Sequence, residues 1–114
     1  MTETAQSEFR ARLLTMRSDL ERDSEITADE RKPVELDQTS VGRLTRMDAM
    51  QAQAMQVEAE RRRQLERRRI DAALARLDDG EFGYCMVCRG EIEPKRLLQD
   101  PTVPNCFSCA RAKS

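Results

Sequence analysis

The sequence predicts an all-α fold, in which an antiparallel coiled-coil helical hairpin carries a small four-cysteine module at its base. Long stretches rich in Ala, Leu, Met, Glu, Gln and Arg, which are strong helix formers, fill most of the 114 residues. All four cysteines lie in the last quarter of the chain, as two C-x-x-C pairs separated by 17 residues. Because 4% of the residues are aromatic and 36% are charged, the chain cannot bury a large globular core, and a two-helix hairpin needs less.

The first helix is predicted over about residues 5–31. Its apolar residues recur at 4-3-4 spacing and form one stripe, made of Phe9, Leu13, Met16 and Leu20. Pro33 lacks a backbone donor and disfavours helix at the residue before it, so we expect the helix to end by residue 31. Thr27 and Glu30 stand at the spacing of a capping box, which is compatible with a break or restart near residue 27.

The second helix is predicted over about residues 40–78, a length of about 55 Å at 1.5 Å per residue. Its predicted contact stripe comprises Leu44, Met47, Gln51, Ala54, Glu58, Arg61 and Leu65, followed by Ile70, Ala73, Leu74 and Leu77. The middle of this stripe is polar, so we expect weak pairing there. Gly80 suits a left-handed position just after the helix and is predicted to end it.

The chain is therefore divided into a hairpin over residues 1–79, with its tip near 33–43, and a zinc-finger module over residues 80–114 that ends in a short helix. We expect the hairpin and the module to share few apolar residues.

Two features of the second helix have alternative interpretations. Met47, Met50 and Met55 either pack in the contact stripe or form an adaptable binding surface. The six arginines of residues 61–69 spread around most of the helix circumference, which favours a solvated, partly paired face over a contact for an acidic surface or nucleic acid.

The cysteine pattern predicts one structural zinc ion. Zn²⁺ prefers four tetrahedral ligands, and a C-x-x-C pair lets two thiolates reach one ion from a tight turn. The chain has no His to compete, and the predicted ligands are Cys85, Cys88, Cys106 and Cys109. Four thiolates leave no open position for water or substrate, so the metal is expected to contribute folding energy and not catalysis. A dithiol redox pair and structural disulfides are the alternatives.

Basic side chains near the cysteines have two interpretations. Arg89, Lys95, Arg96 and Arg111 either offset the charge of about −2 that four thiolates and one Zn²⁺ carry, or contact an acidic partner. The net charge of −1 argues against a nucleic-acid binder that relies on bulk positive charge. Pro94 is expected to interrupt any recognition helix after the first cysteine pair, which argues against sequence-specific DNA binding.

Several classes of protein are disfavoured by what the sequence lacks. It has no run of about 18 apolar residues and no signal-peptide pattern at its N-terminus, so a cytoplasmic protein without membrane contact is expected. No His stands beside paired carboxylates, no nucleophile is paired with a base, and no Gly-rich phosphate loop is present. The sequence therefore predicts that the chain is not an enzyme.

The last third of the chain resembles the zinc fingers of the DksA/TraR family, whose pattern is close to G-Y-C-x-x-C-x3-I-x3-R-L-x3-P-x4-C-x-x-C. The chain supplies this pattern in register with Gly83, Tyr84, Cys85, Cys88, Ile92, Arg96, Leu97, Pro101, Cys106 and Cys109. The family usually has Gly directly after the second Cys, where this chain has Arg89, with Gly90 one place later.

The resemblance implies a regulator of transcription that binds RNA polymerase directly and inserts its hairpin into the secondary channel. It also implies ppGpp at the polymerase interface as a candidate partner. Asp37 matches the first acid of the family tip, while Ser40 and Gly42 stand where the family has a second Asp and an Ala. We expect a monomer. The alternatives are a DNA-binding zinc-finger protein and a structural coiled-coil adaptor that uses the hairpin to dimerise.

Overall fold

The computed structural model describes residues 1–34 and 43–112, which are mainly helical. The helices are α1 (Glu3–Ile26), a 3-10 turn (Ala28–Arg31), α2 (Arg43–Asp78), α3 (Pro94–Gln99) and α4 (Phe107–Ala112). These residues form no strand, only one isolated antiparallel bridge between Tyr84 and Glu91. The predicted all-α class is confirmed. The predicted tip residues Asp37, Ser40 and Gly42 lie outside the described residues.

The contacts divide the chain into two compact units. The first unit comprises Met1–Ser18 and Arg67–Ser114, and the second comprises Asp19–Glu66. The boundary predicted from the sequence, between residues 79 and 80, stays a prediction. Within the described ranges, no helix combines the length and the apolar character that crossing a membrane requires.

In the first unit, α1 and α2 run antiparallel. Arg10 pairs with Asp78 at 2.7 Å and Arg17 pairs with Asp71 at 3.2 Å, so residue numbers rise along one helix as they fall along the other. The predicted apolar stripe of α1 faces inward here. Leu13 is fully buried, and the buried residues of α2 in this unit include Ile70, Ala73, Leu74 and Leu77. Apolar burial therefore holds this part of the helix pair together.

The cysteine module belongs to the same core as this helix pair. The rings of Phe9 and Phe82 lie 5.1 Å apart between centroids, within the range of favourable aromatic pairs. The guanidinium of Arg12 donates a hydrogen bond of 2.6 Å to the carbonyl of Leu98, at the end of α3. The expectation that hairpin and module share few apolar residues is wrong. The reason is that Phe82, four residues beyond α2, covers the first turns of α1.

In the second unit, polar side chains connect the two helices. The carboxylate of Glu60 accepts hydrogen bonds from Ser24 at 2.8 Å and from Arg63 at 3.0 Å, and lies 3.3 Å from Arg31. Its side chain is 17% exposed. Burial opposes ionisation, but hydrogen bonds from Gln64, Ser24 and Arg63 and the charge of Arg31 lower the pKa of Glu60 to about 2.

Before Ile70, the less exposed row of α2 lies two residues away from the predicted contact stripe, whereas Ile70, Ala73, Leu74 and Leu77 are buried as predicted. Met47 and Leu65, assigned to the stripe from the sequence, are 49% and 43% exposed, and Glu58 and Arg61 are ion-paired with each other in solvent. The less exposed residues include a row at the same 3-4 spacing, which is Ala49, Gln53, Gln56, Glu60, Arg63, Arg67, Ile70, Leu74 and Leu77. The predicted register before Ile70 was wrong because the apolar residues of that stripe whose side chains the structure describes, Met47, Ala54 and Leu65, are exposed.

Met47, Met50 and Met55 are 49%, 54% and 72% exposed, so the interpretation that they pack in the stripe is also wrong. They lie on the solvent side of α2 in the second unit. Their use as a binding surface stays a prediction.

The helix ends follow the local sequence. Gly80 has φ of +75°, and the amides of Gly80 and Glu81 donate to the carbonyls of Leu77 and Arg76, a Schellman motif that confirms the predicted end of α2. The predicted restart near Thr27 is confirmed, because α1 ends at Ile26 and the 3-10 turn begins at Ala28. Thr27 makes no capping bond, however, since its hydroxyl donates to the carbonyl of Asp23 at 2.7 Å.

We expect Glu60→Gln to destabilise the protein at neutral pH by roughly 1 kcal/mol, because the variant loses the charge that Arg31 and Arg63 face. The folded pKa of about 2 lies below the unstructured value of 4.5, so this stabilisation is complete above pH 4.5 and is lost as pH falls towards 2. Urea unfolding at several pH values measures the difference. Glu58→Gln, at an exposed pair, is the control, and equal effects of both variants at pH 7 would contradict the prediction.

We expect Leu13→Ala to destabilise the protein by about 2–5 kcal/mol, because it removes a fully buried side chain from the core of the first unit. Leu14→Ala is the matched control, since Leu14 is 40% exposed and adjacent in sequence. Thermal and urea unfolding of both variants test the prediction. A Leu13→Ala variant as stable as Leu14→Ala would show that this core is not what stabilises the unit.

Candidate metal centre

The first cysteine pair lies in a tight loop closed by backbone hydrogen bonds. The amide of Cys85 donates to the carbonyl of Gly90 at 2.7 Å, and the amide of Arg89 donates to the carbonyl of Cys85 at 3.0 Å. Two residues further out on each side, the amide of Ile92 donates to the carbonyl of Gly83 at 2.8 Å. These bonds fold residues 83–92 back on themselves and fix the backbone on both sides of the pair.

Arg89 adopts a left-handed backbone conformation, with φ of +66°. Among the described residues it is the only non-Gly residue with positive φ. This conformation disfavours an L side chain by roughly 1–2 kcal/mol, while Gly adopts it freely. The loop therefore has the shape expected for Gly at this position, and the chain places an arginine there.

The second cysteine pair is positioned by α3 and by the start of α4. The Nε of Arg96 donates to the carbonyl of Asn105 at 3.0 Å, just before the pair. The carboxylate of Glu93 accepts a bond of 3.1 Å from the amide of Phe107, the first residue of α4. Backbone hydrogen bonds, including that from Phe107, lower the pKa of Glu93, so its carboxylate stays charged and keeps this contact. Both contacts hold the second pair against α3.

The two loops bring all four cysteines together. The amide of Met86 in the first loop donates to the carbonyl of Pro104 at 2.9 Å, two residues before the second pair. All four Sγ atoms lie within 4.8 Å of one another, and all four cysteines are free. The Sγ atoms of Cys88 and Cys106 are 3.8 Å apart, which is about the edge of a sulfur tetrahedron with metal–sulfur bonds of ~2.3 Å. Cys85, Cys88, Cys106 and Cys109 are positioned to hold a metal ion.

Two thiols of this cluster, those of Cys85 and Cys109, have pKa values shifted in opposite directions. Burial opposes ionisation of Cys85, but backbone hydrogen bonds, those of Cys88 and Cys106 first, lower its pKa to about 6. Side-chain hydrogen bonds with Cys106 and Cys85, together with burial, raise the pKa of Cys109 to about 12. One thiolate is thus stabilised beside a thiol that retains its proton. Thiolates are the metal-binding form, so the donor set suits a divalent cation that displaces the remaining protons.

The basic residues near the cluster differ in their surroundings. Arg96 is half-buried and holds the Asn105 carbonyl. The side chains of Arg89 and Lys95 are exposed, and neither forms a hydrogen bond or ion pair with another described residue. Arg111 is exposed on α4. Contact of Arg89, Lys95 or Arg96 with a partner stays a prediction.

Pro94 has a different role from the predicted one. It occupies the start of α3, where its missing amide removes no helical hydrogen bond. The expectation that Pro94 interrupts helix after the first pair is therefore wrong. The helix that it begins is only six residues long, however, and its buried residue is Leu97.

Sequence reasoning missed the residues that support the cluster from outside it. Asp100 accepts from the amide and the hydroxyl of Thr102, at 3.0 and 2.6 Å, and pairs with Arg69 at 3.1 Å. Its pKa is lowered, since these contacts outweigh the opposing effect of burial. The Asp-Pro-Thr order is a turn signal that indicates the local part of this arrangement. Arg69 and Arg12 reach the module from 31 and 86 residues away, which no local pattern reports.

Comparisons with known proteins give two matches that bear on this centre. The chain is 43% identical over 42 residues to the RNA polymerase-binding transcription factor DksA of Haemophilus influenzae, a stretch that is 37% of this chain and 29% of that protein. It also matches the solved structure of transcription factor DksA2 from Pseudomonas aeruginosa with a TM-score of 0.80 and 26% identity, over 99% of this chain and 85% of that one. No protein-family model matches the chain.

The sequence match is local and covers less than a third of the curated relative, whereas the structural match covers almost the whole chain. A helical fold of this kind and the four-cysteine cluster agree with both. Together they support the resemblance to the DksA/TraR family that the zinc-finger pattern indicates.

Proposed function

We propose that this protein is a zinc-containing regulator of transcription that binds RNA polymerase directly. The observation that carries the proposal is the structural match over 99% of the chain to a transcription factor, at a TM-score of 0.80. The curated relative is named as an RNA polymerase-binding factor, which supports the choice of partner. The net charge of −1 favours a protein partner over duplex DNA.

The proposed metal is one structural Zn²⁺ held by Cys85, Cys88, Cys106 and Cys109. When bound, the ion cross-links the two loops and keeps the module folded. The chain's own residues prepare this site through the backbone bonds of the first loop and the contacts of Glu93 and Arg96 to the second. The site is closed by its four ligands, so no chemistry on a substrate is proposed for it.

The proposed mode of action is insertion of the helical hairpin into the secondary channel of the polymerase, with the connector between α1 and α2 nearest the active site. The family resemblance supports this mode. We further propose that Asp37, with Ser40 and Gly42, acts at that tip, and that ppGpp contributes at the polymerase interface. The proposed form of the protein is a cytoplasmic monomer that does not bind DNA sequence-specifically. In this mode the protein regulates initiation by occupying the secondary channel and does not recognise a promoter sequence.

We expect purified protein to contain one Zn²⁺ per chain, measured by elemental analysis, with its four thiols protected from alkylation. Cys106→Ser should lower zinc retention and speed hydrogen exchange in Arg67–Ala112 and also in the first turns of α1, because Phe9 packs on Phe82 of the module. Ser108→Ala, in the same C-x-x-C loop, is the matched control. Protein with intact disulfides and well under one zinc per chain would contradict the proposed site.

We expect zinc-loaded protein to bind purified RNA polymerase in the absence of DNA and to bind plain duplex DNA much more weakly. Biolayer interferometry with each partner immobilised gives both affinities, and sedimentation of the free protein gives its oligomeric state. Absence of polymerase binding would overturn the proposed function. A stable dimer that binds neither partner would favour the structural adaptor instead.

We expect Asp37→Ala to change the output of transcription in vitro while leaving polymerase affinity within a few-fold, because one solvated contact contributes at most ~1 kcal/mol. Assays on several promoters, with and without ppGpp, measure the output. Asp29→Ala, an exposed acid of the 3-10 turn, is the control. A variant that loses most of its polymerase affinity would show that Asp37 determines binding and not effect.

A further inference from the structure

We infer that Arg89 is a contact residue for a carboxylate on the protein partner, seated on the exposed face of the first cysteine loop. This inference rests on the proposed function, because it takes RNA polymerase as the partner. It adds Arg89 as a contact residue and a carboxylate as the group that Arg89 binds.

The first step is the backbone of Arg89. Its φ of +66° is the conformation that Gly adopts freely and that L side chains disfavour. The backbone at this position is therefore strained by the presence of a side chain, whereas Gly would adopt the same loop conformation without strain. Strained backbone at an exposed loop position is a known indicator of function, because the strain persists only if something compensates it.

The second step is what the guanidinium does within the chain. Arg89 is exposed, and its side chain forms no hydrogen bond or ion pair with any other described residue. The contacts that hold the loop come from its backbone amide, which donates to Cys85, and from neighbouring residues. The side chain therefore contributes no hydrogen bond or ion pair to the described part of the fold, and its five N–H donors are available to a partner.

The third step is the surface around Arg89. Met86 and Val87, in the same loop, are 49% and 55% exposed, and Tyr84, which lines a pocket together with Arg89, is 43% exposed. Met and aromatic residues together with Arg are enriched in protein–protein interfaces. This composition favours a protein contact in which apolar residues exclude water around a charged pair.

The fourth step selects the chemistry of the partner. Arg89, Glu81 and Tyr84 line a shallow pocket of about 170 Å³ next to Cys85 and Met86. Arg pairs with a carboxylate through two parallel hydrogen bonds. The net charge of −1 argues against a nucleic-acid backbone as the ligand, so a carboxylate of a protein partner is the anion inferred for Arg89. A single carboxylate within an apolar protein surface is compatible with this setting.

Arg89→Gly separates a contact role from a structural one. Because Gly suits the left-handed backbone, we expect the variant to keep one zinc per chain and to have a thermal midpoint equal to or a few degrees above that of the parent. We expect its dissociation constant for RNA polymerase to rise by about tenfold or more, the effect of removing a central interface arginine. Higher stability with lower affinity is the diagnostic combination.

Arg10→Gln is the control, since it removes a positive charge from a side chain that is 43% exposed in the same compact unit. We expect it to change polymerase affinity by no more than about threefold. Equal weakening by both variants, abolished at higher salt, would show a general charge effect and overturn the inference. Loss of zinc from Arg89→Gly would show instead that Arg89 serves the metal site, which also overturns it.

Three further outcomes are distinguishable. If the parent protein binds polymerase and Arg89→Gly binds equally well, the inference about Arg89 fails while the proposed function stands. If the parent does not bind polymerase, the proposed function itself fails. A variant whose affinity for duplex DNA falls while its polymerase affinity is unchanged would assign Arg89 to phosphate recognition and overturn the carboxylate contact.

Discussion

The shared apolar core of the first unit is the constraint on which the rest of the structure depends. The chain has few large apolar residues, and the most buried of them, including Leu13, Ile70 and Leu97, belong to this unit. Here the ends of both long helices and the cysteine module bury one another, with Phe9 against Phe82 as the direct contact. Neither the helix ends nor the module has enough apolar surface to fold well alone.

This sharing connects the metal centre to the hairpin. The loops of the cysteine cluster are tied to α3, α3 is tied to α1 through Arg12, and Asp100 is tied to α2 through Arg69. Because a bound metal would stabilise the module, it would also stabilise the helix ends that pack on it. The ion is thus expected to act as a structural element of the whole first unit.

The second unit is stabilised by different interactions. Its helices meet through Glu60 and the side chains of Ser24, Arg31 and Arg63, where the first unit has Leu and Ile. A buried polar network specifies register, since each donor needs its own acceptor, but contributes less net stability than apolar packing of similar size. The geometry of this unit is therefore well specified, while the polar contacts add only modest stability to it.

Some of this structure could be predicted from the sequence because its causes are local. Helix formers, Gly80 after the second helix and the 4-3-4 stripe of α1 act within a few residues, and their predicted consequences are observed. The cluster of four cysteines could also be predicted, because the C-x-x-C spacing itself sets how two thiols reach one centre.

Other features could not be predicted, because they depend on which distant groups meet. Residues recur at 3-4 spacing on every face of a helix, so the spacing alone does not show which face of α2 is the contact stripe. The partners of Glu60 decide that this stripe includes Glu60 and excludes Met47 and Leu65. The cysteine motif also placed Arg89 next to the cluster, but it did not predict the left-handed backbone conformation of this residue. The sequence by itself determined the helical class and the four cysteines that are positioned to hold a metal ion, through local propensity and spacing. The tertiary structure alone decided the helix register, the shared core and the exposure of Arg89, because those follow from contacts between residues far apart in the chain.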